Sequence, residues 1–274
     1  MRENLMYVLR RSEWFVLAYF CYVAITGTIF GIYRPWIMLA AIAAAVWLLA
    51  RRKSVVRDLA PLAYTLAAYR EMNWFAPKFY DHHLEHAWIV WDRWLLDDLH
   101  LRSAIEVAGM LVPSYLEVCY ALVYAVGAVS VALLFANRRR DHIDRFWLAY
   151  LVGTLGAYAL FPYFPSEPPR TVFAGHDLPH IVTVIRRFNL WIVGGYGIHS
   201  SVFPSAHVSS AFSAAWGLMD AIPERRWIGM LMVLYGFSVA IATIYGRYHF
   251  ATDALAGIAI SLAALITLQR QGTK

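Results

Sequence analysis

The sequence predicts an all-α fold: a polytopic transmembrane bundle of six to eight spans, with one further amphipathic helix lying along the membrane interface. Three observations predict it. Of 274 residues, 60% are hydrophobic and only 15% charged, whereas a soluble domain carries about a quarter charged residues. The apolar residues gather into runs close to the roughly 20 that cross a hydrocarbon core. The 11 Trp and 17 Tyr read as interfacial belts rather than as a sugar platform.

In chain order, eight runs are candidate spans: 14–33, 35–50, 59–77, 111–136, 146–164, 205–222, 227–245 and 253–268. The second is short but free of charge. The third is interrupted by Arg70 and Glu71, and with the second it forms either a crossing pair or a shallow hairpin. The first run is long and lacks an A-x-A-type cleavage site, so it reads as a span and not as a cleavable signal. Two stretches are not spans. Residues 81–102 hold Trp88, Trp91 and Trp94 among many charges, the composition of an interfacial amphipathic helix. Residues 171–203, with Gly175, Pro179 and Gly194-Gly195-Tyr196-Gly197, read as a loop. There is no internal repeat. One membrane domain accounts for the chain, divided into N-terminal spans and interfacial helix (1–140) and a catalytic membrane core (141–274).

Charge sets the expected orientation. The net charge of +6 comes in short clusters between apolar runs, which suits loops against anionic headgroups and argues against nucleic acid as partner. Arg2, Arg10 and Arg11 precede the first span; Arg51, Arg52, Lys53 and Arg57 follow the second. Arg138, Arg139, Arg140 and Arg145 lie between the fourth and fifth, Arg225 and Arg226 between the sixth and seventh, and Arg270 and Lys274 at the end. Eight alternating spans put all of these on one side, whereas dropping the third separates the Arg51 and Arg138 clusters. Basic loops stay cytoplasmic, so both termini are expected inside a membrane of the bacterial cytoplasmic type. Cys21 and Cys119 both lie in apolar runs and suggest neither a disulfide framework nor a metal knuckle.

Three polar segments then fall on the opposite, extracytoplasmic side. Ionisable residues at such depths are expensive and default to a functional reading. The third segment is Arg247-Tyr248-His249-Phe250-Ala251-Thr252-Asp253. His249 and Asp253 share a helical face, so the carboxylate can hold the proton on one ring nitrogen and leave the other basic. The ordinary alternative is a satisfied histidine beside an Asp cap. The second segment, Phe203-Pro204-Ser205-Ala206-His207, places Ser205 as an N-cap and His207 in a first helical turn. Backbone N–H groups there favour an anion, and His207 is placed to protonate a leaving oxygen. A plain cap with an interfacial histidine is the alternative. The first segment, Tyr163 to Arg170, supplies a guanidinium suited to phosphate oxygens, or else a snorkelling arginine after a Pro-rich stop.

Together the three segments resemble the signature of the type 2 phosphatidic acid phosphatase superfamily. Pro204-Ser205-Ala206-His207 and His249-x-x-x-Asp253, followed by Ala256-Gly257, carry the resemblance, which covers roughly 146–268. It implies that His249 attacks phosphorus to form a phosphohistidine, Asp253 orients it and His207 protonates the leaving alcohol. Arg170 and Ser205 then hold phosphate oxygens, and no metal or other cofactor takes part. The chain departs from the phosphatase pattern at Tyr163, where a Lys is usual, at Thr171, where a Pro is usual, and at Ala242-Thr243, where Ser-Arg is usual. Arg247 is the expected stand-in for a missing phosphate-binding cation, with Arg186 and Arg187 as alternatives. The Pro-Pro-Arg and Tyr-His forms look more like the inositol phosphorylceramide synthase branch. A site with fewer cations suits a phosphodiester better than a dianionic monoester.

The expected function is therefore a membrane lipid phosphatase or phosphotransferase. Its partners are a phosphorylated lipid and, for transfer, a lipid alcohol; simple phosphatidate or polyprenyl phosphate hydrolysis is the alternative. A proton-coupled transporter would instead bury its ionisable groups near the midplane of broken helices. A catalytically dead scaffold would have no use for the His207, His249 and Asp253 set. The cluster Asp81-His82-His83-Leu84-Glu85-His86 admits a metal reading, but a wet interfacial helix accounts for it and no metal is assigned. Glu106 and Glu117 suggest acceptor-binding or proton-relay groups, or ordinary partners of Arg102 and a tyrosine hydroxyl.

Overall fold

The computed structural model describes residues 9–51, 53–175 and 177–272; Arg2, Arg52 and Lys274 of the basic clusters lie outside them. Thirteen α-helices follow in order among the described residues: α1 (Arg11–Ile29), α2 (Arg34–Ala50), α3 (Val55–Met72), α4 (His83–Arg93), α5 (Leu101–Glu106), α6 (Leu111–Leu122), α7 (Val126–Ala136), α8 (Ile143–Tyr158), α9 (Pro169–Val172), α10 (Val184–Tyr196), α11 (Ala206–Ala221), α12 (Arg226–Tyr245) and α13 (Ala251–Gly272). The structure is 78% helix, with no strand among the described residues, the all-α polytopic bundle expected of its composition.

Each predicted span is helical, but among the described residues only five helical segments are long and apolar enough to cross a membrane by themselves: 11–29, 111–136, 140–163, 223–245 and 251–270. α2 is apolar but shorter. α3 and α11 fall short for a physical reason. α11 is rich in Ser, Ala and Gly and is buried among α7, α8, α12 and α13, so it meets protein instead of lipid. α3 turns Arg57, Asp58 and Glu71 inward, all buried.

α8 is the central post, packed against α11, α13, α1 and α3. Small residues let α8 and α11 approach closely. A Cβ on Gly153 would meet Ser213 Oγ at 1.9 Å, and Ser209 Oγ donates to the Gly153 carbonyl at 2.9 Å.

The basic residues gather at one end of this bundle. Asp58 accepts from Arg10 and from Arg140, each at 2.7 Å, while its carbonyl takes the Trp147 indole N–H. Arg57 pairs with Glu13 at 2.6 Å. Arg139 pairs with Glu224, and Arg145 bridges Asp220 and the Leu268 carbonyl. These contacts tie together the starts of α1, α3 and α8 and the ends of α11 and α13. α3 therefore runs the length of the bundle, from Asp58 at this end to Arg70 at the other.

The other end carries the polar segments. α4 is amphipathic as expected, with Trp91 and Trp94 exposed and Glu85, Ile89 and Asp92 buried. The stretch 171–203 is not a plain loop, because it takes in the end of the short α9 and the whole of the three-turn α10. Thr183 caps α10 by accepting from Arg186 N. Val184, Phe188 and Trp191, spaced as one helical face, are exposed while Arg186 and Asn189 are buried. This inverted amphipathicity, polar inward and apolar outward, together with Gly194-Gly195, hid the helix in the sequence.

Candidate functional site

The three segments meet at the end of the bundle opposite the basic cluster. α12 ends by wrapping its last turn: Tyr248 N and His249 N both donate to the Thr243 carbonyl, at 2.9 and 3.1 Å. Arg247 takes a left-handed φ of +62°, uncommon for a side chain other than glycine, which turns the chain sharply into α13. The Arg247 carbonyl accepts from Arg170 N at 3.2 Å, and the Asp253 carbonyl accepts from Ser205 N at 2.9 Å. Backbone hydrogen bonds thus pin the first and second segments to the third.

His249 and His207 face each other with ring centroids 5.5 Å apart. Nδ1 of His249 lies 2.8 Å from the Val202 carbonyl oxygen and 3.3 Å from Asp253 Oδ2. A carbonyl can only accept, so Nδ1 carries the proton and Nε2 is the free base. Asp253 Oδ2 also accepts from Phe250 N at 2.9 Å, which fixes the carboxylate at the start of α13. Burial, reinforced by the nearby Arg170 guanidinium and opposed by the bond to Val202, lowers the His249 pKa to about 3. The imidazole is thus neutral across the physiological range.

His207 sits in the first turn of α11, stacked on Tyr120 at 5.2 Å and edge-on to Tyr124 at 5.4 Å. Tyr120 in turn stacks on Tyr248 at 3.8 Å. Ser205 is wholly buried, and its hydroxyl accepts from Val208 N at 3.4 Å, the helix-capping role of its residue type.

The arginines divide into two kinds. Arg170 is half-buried, with Nη1 3.5 Å from the Tyr248 carbonyl and its guanidinium 5.5 Å from that ring; no carboxylate pairs with it among the described residues. Arg247 is fully buried, and Nη1 donates to Asp92. Arg186 donates to Glu117 at 2.8 Å and to the Gly246 carbonyl at 3.0 Å. The charges that the sequence offered to phosphate at Arg247 and Arg186 are therefore balanced by carboxylates already in place. Arg187 is exposed on α10.

Two carboxylates shape the site without a motif to announce them. Asp92 of α4 binds Arg247 with one oxygen and accepts from Ala251 N at 2.7 Å with the other, clamping the turn that carries His249. Glu117 of α6 accepts the Tyr248 hydroxyl at 2.7 Å, Asn189 Nδ2 at 2.8 Å and Arg186 at 2.8 Å, so of its two expected partners the tyrosine hydroxyl is the one found. Arg102 pairs instead with Asp97, and Glu106 takes His180 and Tyr245. The Trp88 ring stacks on Phe203 at 5.0 Å and meets Phe250 edge-on at 5.6 Å. In the histidine cluster, His83 pairs with Asp81 at 2.6 Å, His82 stacks on Tyr80, and His86 meets the Phe173 ring. Among the described residues no three His, Cys, Asp or Glu side chains converge as metal ligands.

A cavity of about 570 Å³ opens beside His207. Its walls come from α3, α8, α10 and the α6–α7 junction, and they are mainly apolar and tyrosine side chains.

Residues 86–267 match the PAP2 superfamily, so the match begins in α4, well before the point where the short motifs become legible. Over 171 residues the chain is 29% identical to a lipid A 4'-phosphatase of Bacteroides thetaiotaomicron, an alignment covering 59% of this chain and 64% of that protein. The chain thus spans a little under two thirds of that relative's length. No solved structure matches.

Proposed function

The chain belongs to the PAP2 superfamily, and we propose that it is an integral membrane phosphatase that removes a phosphate group from a lipid through a phosphohistidine at His249. One observation carries this reading. His249, with Nδ1 occupied and Nε2 free, faces His207 at 5.5 Å between ring centroids, beside an arginine that no carboxylate neutralises. A phosphorus atom between the two imidazoles has a nucleophile on one side and a proton donor for the leaving oxygen on the other.

The reaction runs in two displacements. Nε2 attacks phosphorus as the P–O bond to the lipid breaks, and His207, whose protonated form the negative charge of the bound phosphate favours, gives its proton to the departing alkoxide. Asp253 and the Val202 carbonyl hold the Nδ1 proton and stabilise the charge that develops on the ring. Water, deprotonated by His207, then cleaves the P–N bond and releases inorganic phosphate. Arg170 holds the phosphate oxygens through both steps, aided by the N–H groups that open α11. Ser205 acts by fixing that turn, and Arg247, paired with Asp92, fixes the turn bearing His249. The lipid tails lie in the cavity beside His207, whose volume fits a chain-bearing ligand. By the distribution of basic loops, the site faces the extracytoplasmic side and both termini the cytoplasm.

The relative's name supports a lipid monoester as substrate. A second reading, transfer of a phospho-headgroup to a lipid alcohol as in the inositol phosphorylceramide synthase branch, is favoured by one observation: with Arg247 and Arg186 balanced, Arg170 is the one guanidinium left at the reacting phosphate among the described residues, which suits a diester. The purified protein is to be incubated with lipid monophosphates and phosphodiesters, with and without a lipid alcohol, and the products identified by mass. Release of inorganic phosphate from monoesters is expected. Products only from a diester plus acceptor would replace hydrolysis with transfer, and no product from any phospholipid would overturn both.

A further inference from the structure

The cavity beside His207 holds a second basic group that the chemistry at His249 does not use. Arg70, at the last turn of α3, lines it together with His207. Five tyrosines (69, 124, 150, 158 and 196) also line it, and no carboxylate does. The arginine's hydrogen bond runs from Nη1 to the Tyr196 carbonyl at 2.8 Å, a neutral acceptor, and no carboxylate pairs with it among the described residues. Its neighbour Glu71 is turned away and fully buried. A chamber with a guanidinium, tyrosines and no acid, opening beside the phosphate site at His207 and His249, is built for a ligand that combines apolar chains with more than one negative group.

The position of Arg70 is set by its surroundings. The segment following α10 is stitched to the end of α3: Ile198 N donates to Tyr69 Oη at 3.2 Å and His199 N to Asn73 Oδ1 at 2.9 Å. The bond to Tyr196 uses one nitrogen and leaves the rest of the guanidinium fork for a forked anion. Arg70 also lies outside residues 86–267 that match the superfamily, on a helix where specificity can differ between relatives that share the reacting groups.

Resting on the reading of His249 as a lipid phosphatase nucleophile, we infer that Arg70 binds a second anionic group on the headgroup of the same lipid, so that the preferred substrate carries a phosphate or carboxylate besides the phosphomonoester that is cleaved. Arg170 serves the reacting phosphate and Arg70 serves the second anion.

The test uses three chain-matched synthetic lipids with the full-length protein in detergent-lipid micelles: one with a single phosphomonoester, one with a second phosphate on the headgroup, and one with a carboxylate in that place. The wild type is expected to show a KM for at least one two-anion lipid roughly 10-fold or more below that for the one-anion lipid, the scale of a charge-assisted contact. Arg70→Gln is expected to erase most of this ratio with a smaller effect on kcat, and Arg70→Lys to restore part of it. Which two-anion lipid gains tells phosphate from carboxylate. Equal KM values for all three lipids in the wild type would overturn the inference whether or not any variant folds. An equal loss on every lipid in Arg70→Gln would also overturn it, reducing Arg70 to a prop for Tyr196 or a snorkelling residue. No turnover of any lipid by the wild type would overturn the proposed function and this inference with it, a result distinct from turnover without discrimination.

Discussion

The carbonyl oxygen of Val202 lies 2.8 Å from Nδ1 of His249, and this contact decides which nitrogen can attack phosphorus. Because the carbonyl accepts the hydrogen bond of Nδ1–H and holds the proton there, Nε2 is the nucleophile and His207 is left as the acid. The two roles separate by leaving group. His249→Ala is expected to lose roughly 10⁴-fold or more in turnover on every substrate, as removal of a covalent nucleophile does. His207→Ala should lose roughly 10²–10⁴-fold on alkyl lipid phosphates but far less on an aryl phosphate, whose phenolate departs without a proton. Initial rates on both substrate types check this, with thermal unfolding to confirm that each variant is folded. Equal losses for His207→Ala on both leaving groups would remove it as the acid.

The acid limb of the pH profile follows from the environment of His249. Burial and Arg170 lower its pKa to about 3, far below the ordinary histidine value of about 6.5. Attack needs the neutral ring, so protonation of His249 cuts the rate only near pH 3 and not around 6.5. Arg170→Gln removes one of the two lowering influences and should move this limb towards neutrality, besides weakening phosphate binding. Comparing both proteins on one substrate cancels the substrate's own ionisation. The linkage has a matching sign. Between about pH 6.5 and 3 the unfolded chain takes up a proton that native His249 refuses, so this group's contribution to stability falls as pH falls through that window. An acid limb that stays in place in Arg170→Gln would refute the electrostatic account.

The buried pair Asp92–Arg247 gives a stability prediction. Both side chains are wholly buried, and removing one partner of such a pair leaves an uncompensated charge. Asp92→Ala should therefore destabilise the protein by about 3–5 kcal/mol. The double variant Asp92→Ala with Arg247→Met should recover much of that loss, since an apolar pair of similar size suits the same space. Recovery of stability need not bring recovery of activity, because Asp92 also holds Ala251 N and hence the start of α13. Thermal unfolding and turnover of the three variants form the cycle. If Arg247→Met failed to relieve the single Asp92 defect, the charge argument would be wrong.

What the sequence revealed and what it concealed follow the same physics. His207, His249, Asp253 and Arg170 were legible because a short motif fixes each residue within a few positions of a helix start, and apolar runs placed all three motifs at one depth. The basic clusters favoured a third span although its charges made it look weak; α3 reaches from the basic end of the bundle to the other end but is not apolar enough to count among the five candidate spans, because it buries Arg57, Asp58 and Glu71 against protein. Glu117 was legible as the partner of a tyrosine hydroxyl, found at Tyr248, but not of Arg186 or Asn189; Asp92 was not legible as a support, since nothing local in α4 signals a partner more than a hundred residues away. α10 was read as loop because the usual pattern is reversed in a helix whose apolar face is exposed and whose polar face meets Glu117. Arg247 looked available to phosphate because the sequence does not show the carboxylate opposite it.

The last prediction concerns Gly257, where α13 passes the turn that carries His207. A Cβ built there would lie 2.5 Å from the Ser205 carbonyl oxygen and 3.2 Å from Val208 Cβ. The first contact is with backbone and cannot be relieved by a rotamer change, so α13 and the start of α11 must move apart. That motion acts on the Ser205 N to Asp253 carbonyl bond at 2.9 Å and on the separation of His207 from His249. Displacements near 1 Å in a reacting pair cost about 10²-fold in rate, while overpacking at one helix crossing costs about 1–3 kcal/mol. Gly257→Ala is therefore expected to lose roughly 10- to 100-fold in kcat with a modest drop in unfolding temperature. Gly194→Ala, where the added Cβ meets open space, is expected to change kcat little. Turnover by Gly257→Ala at the wild-type rate would show that the two histidines tolerate a wider spacing than the site as folded provides.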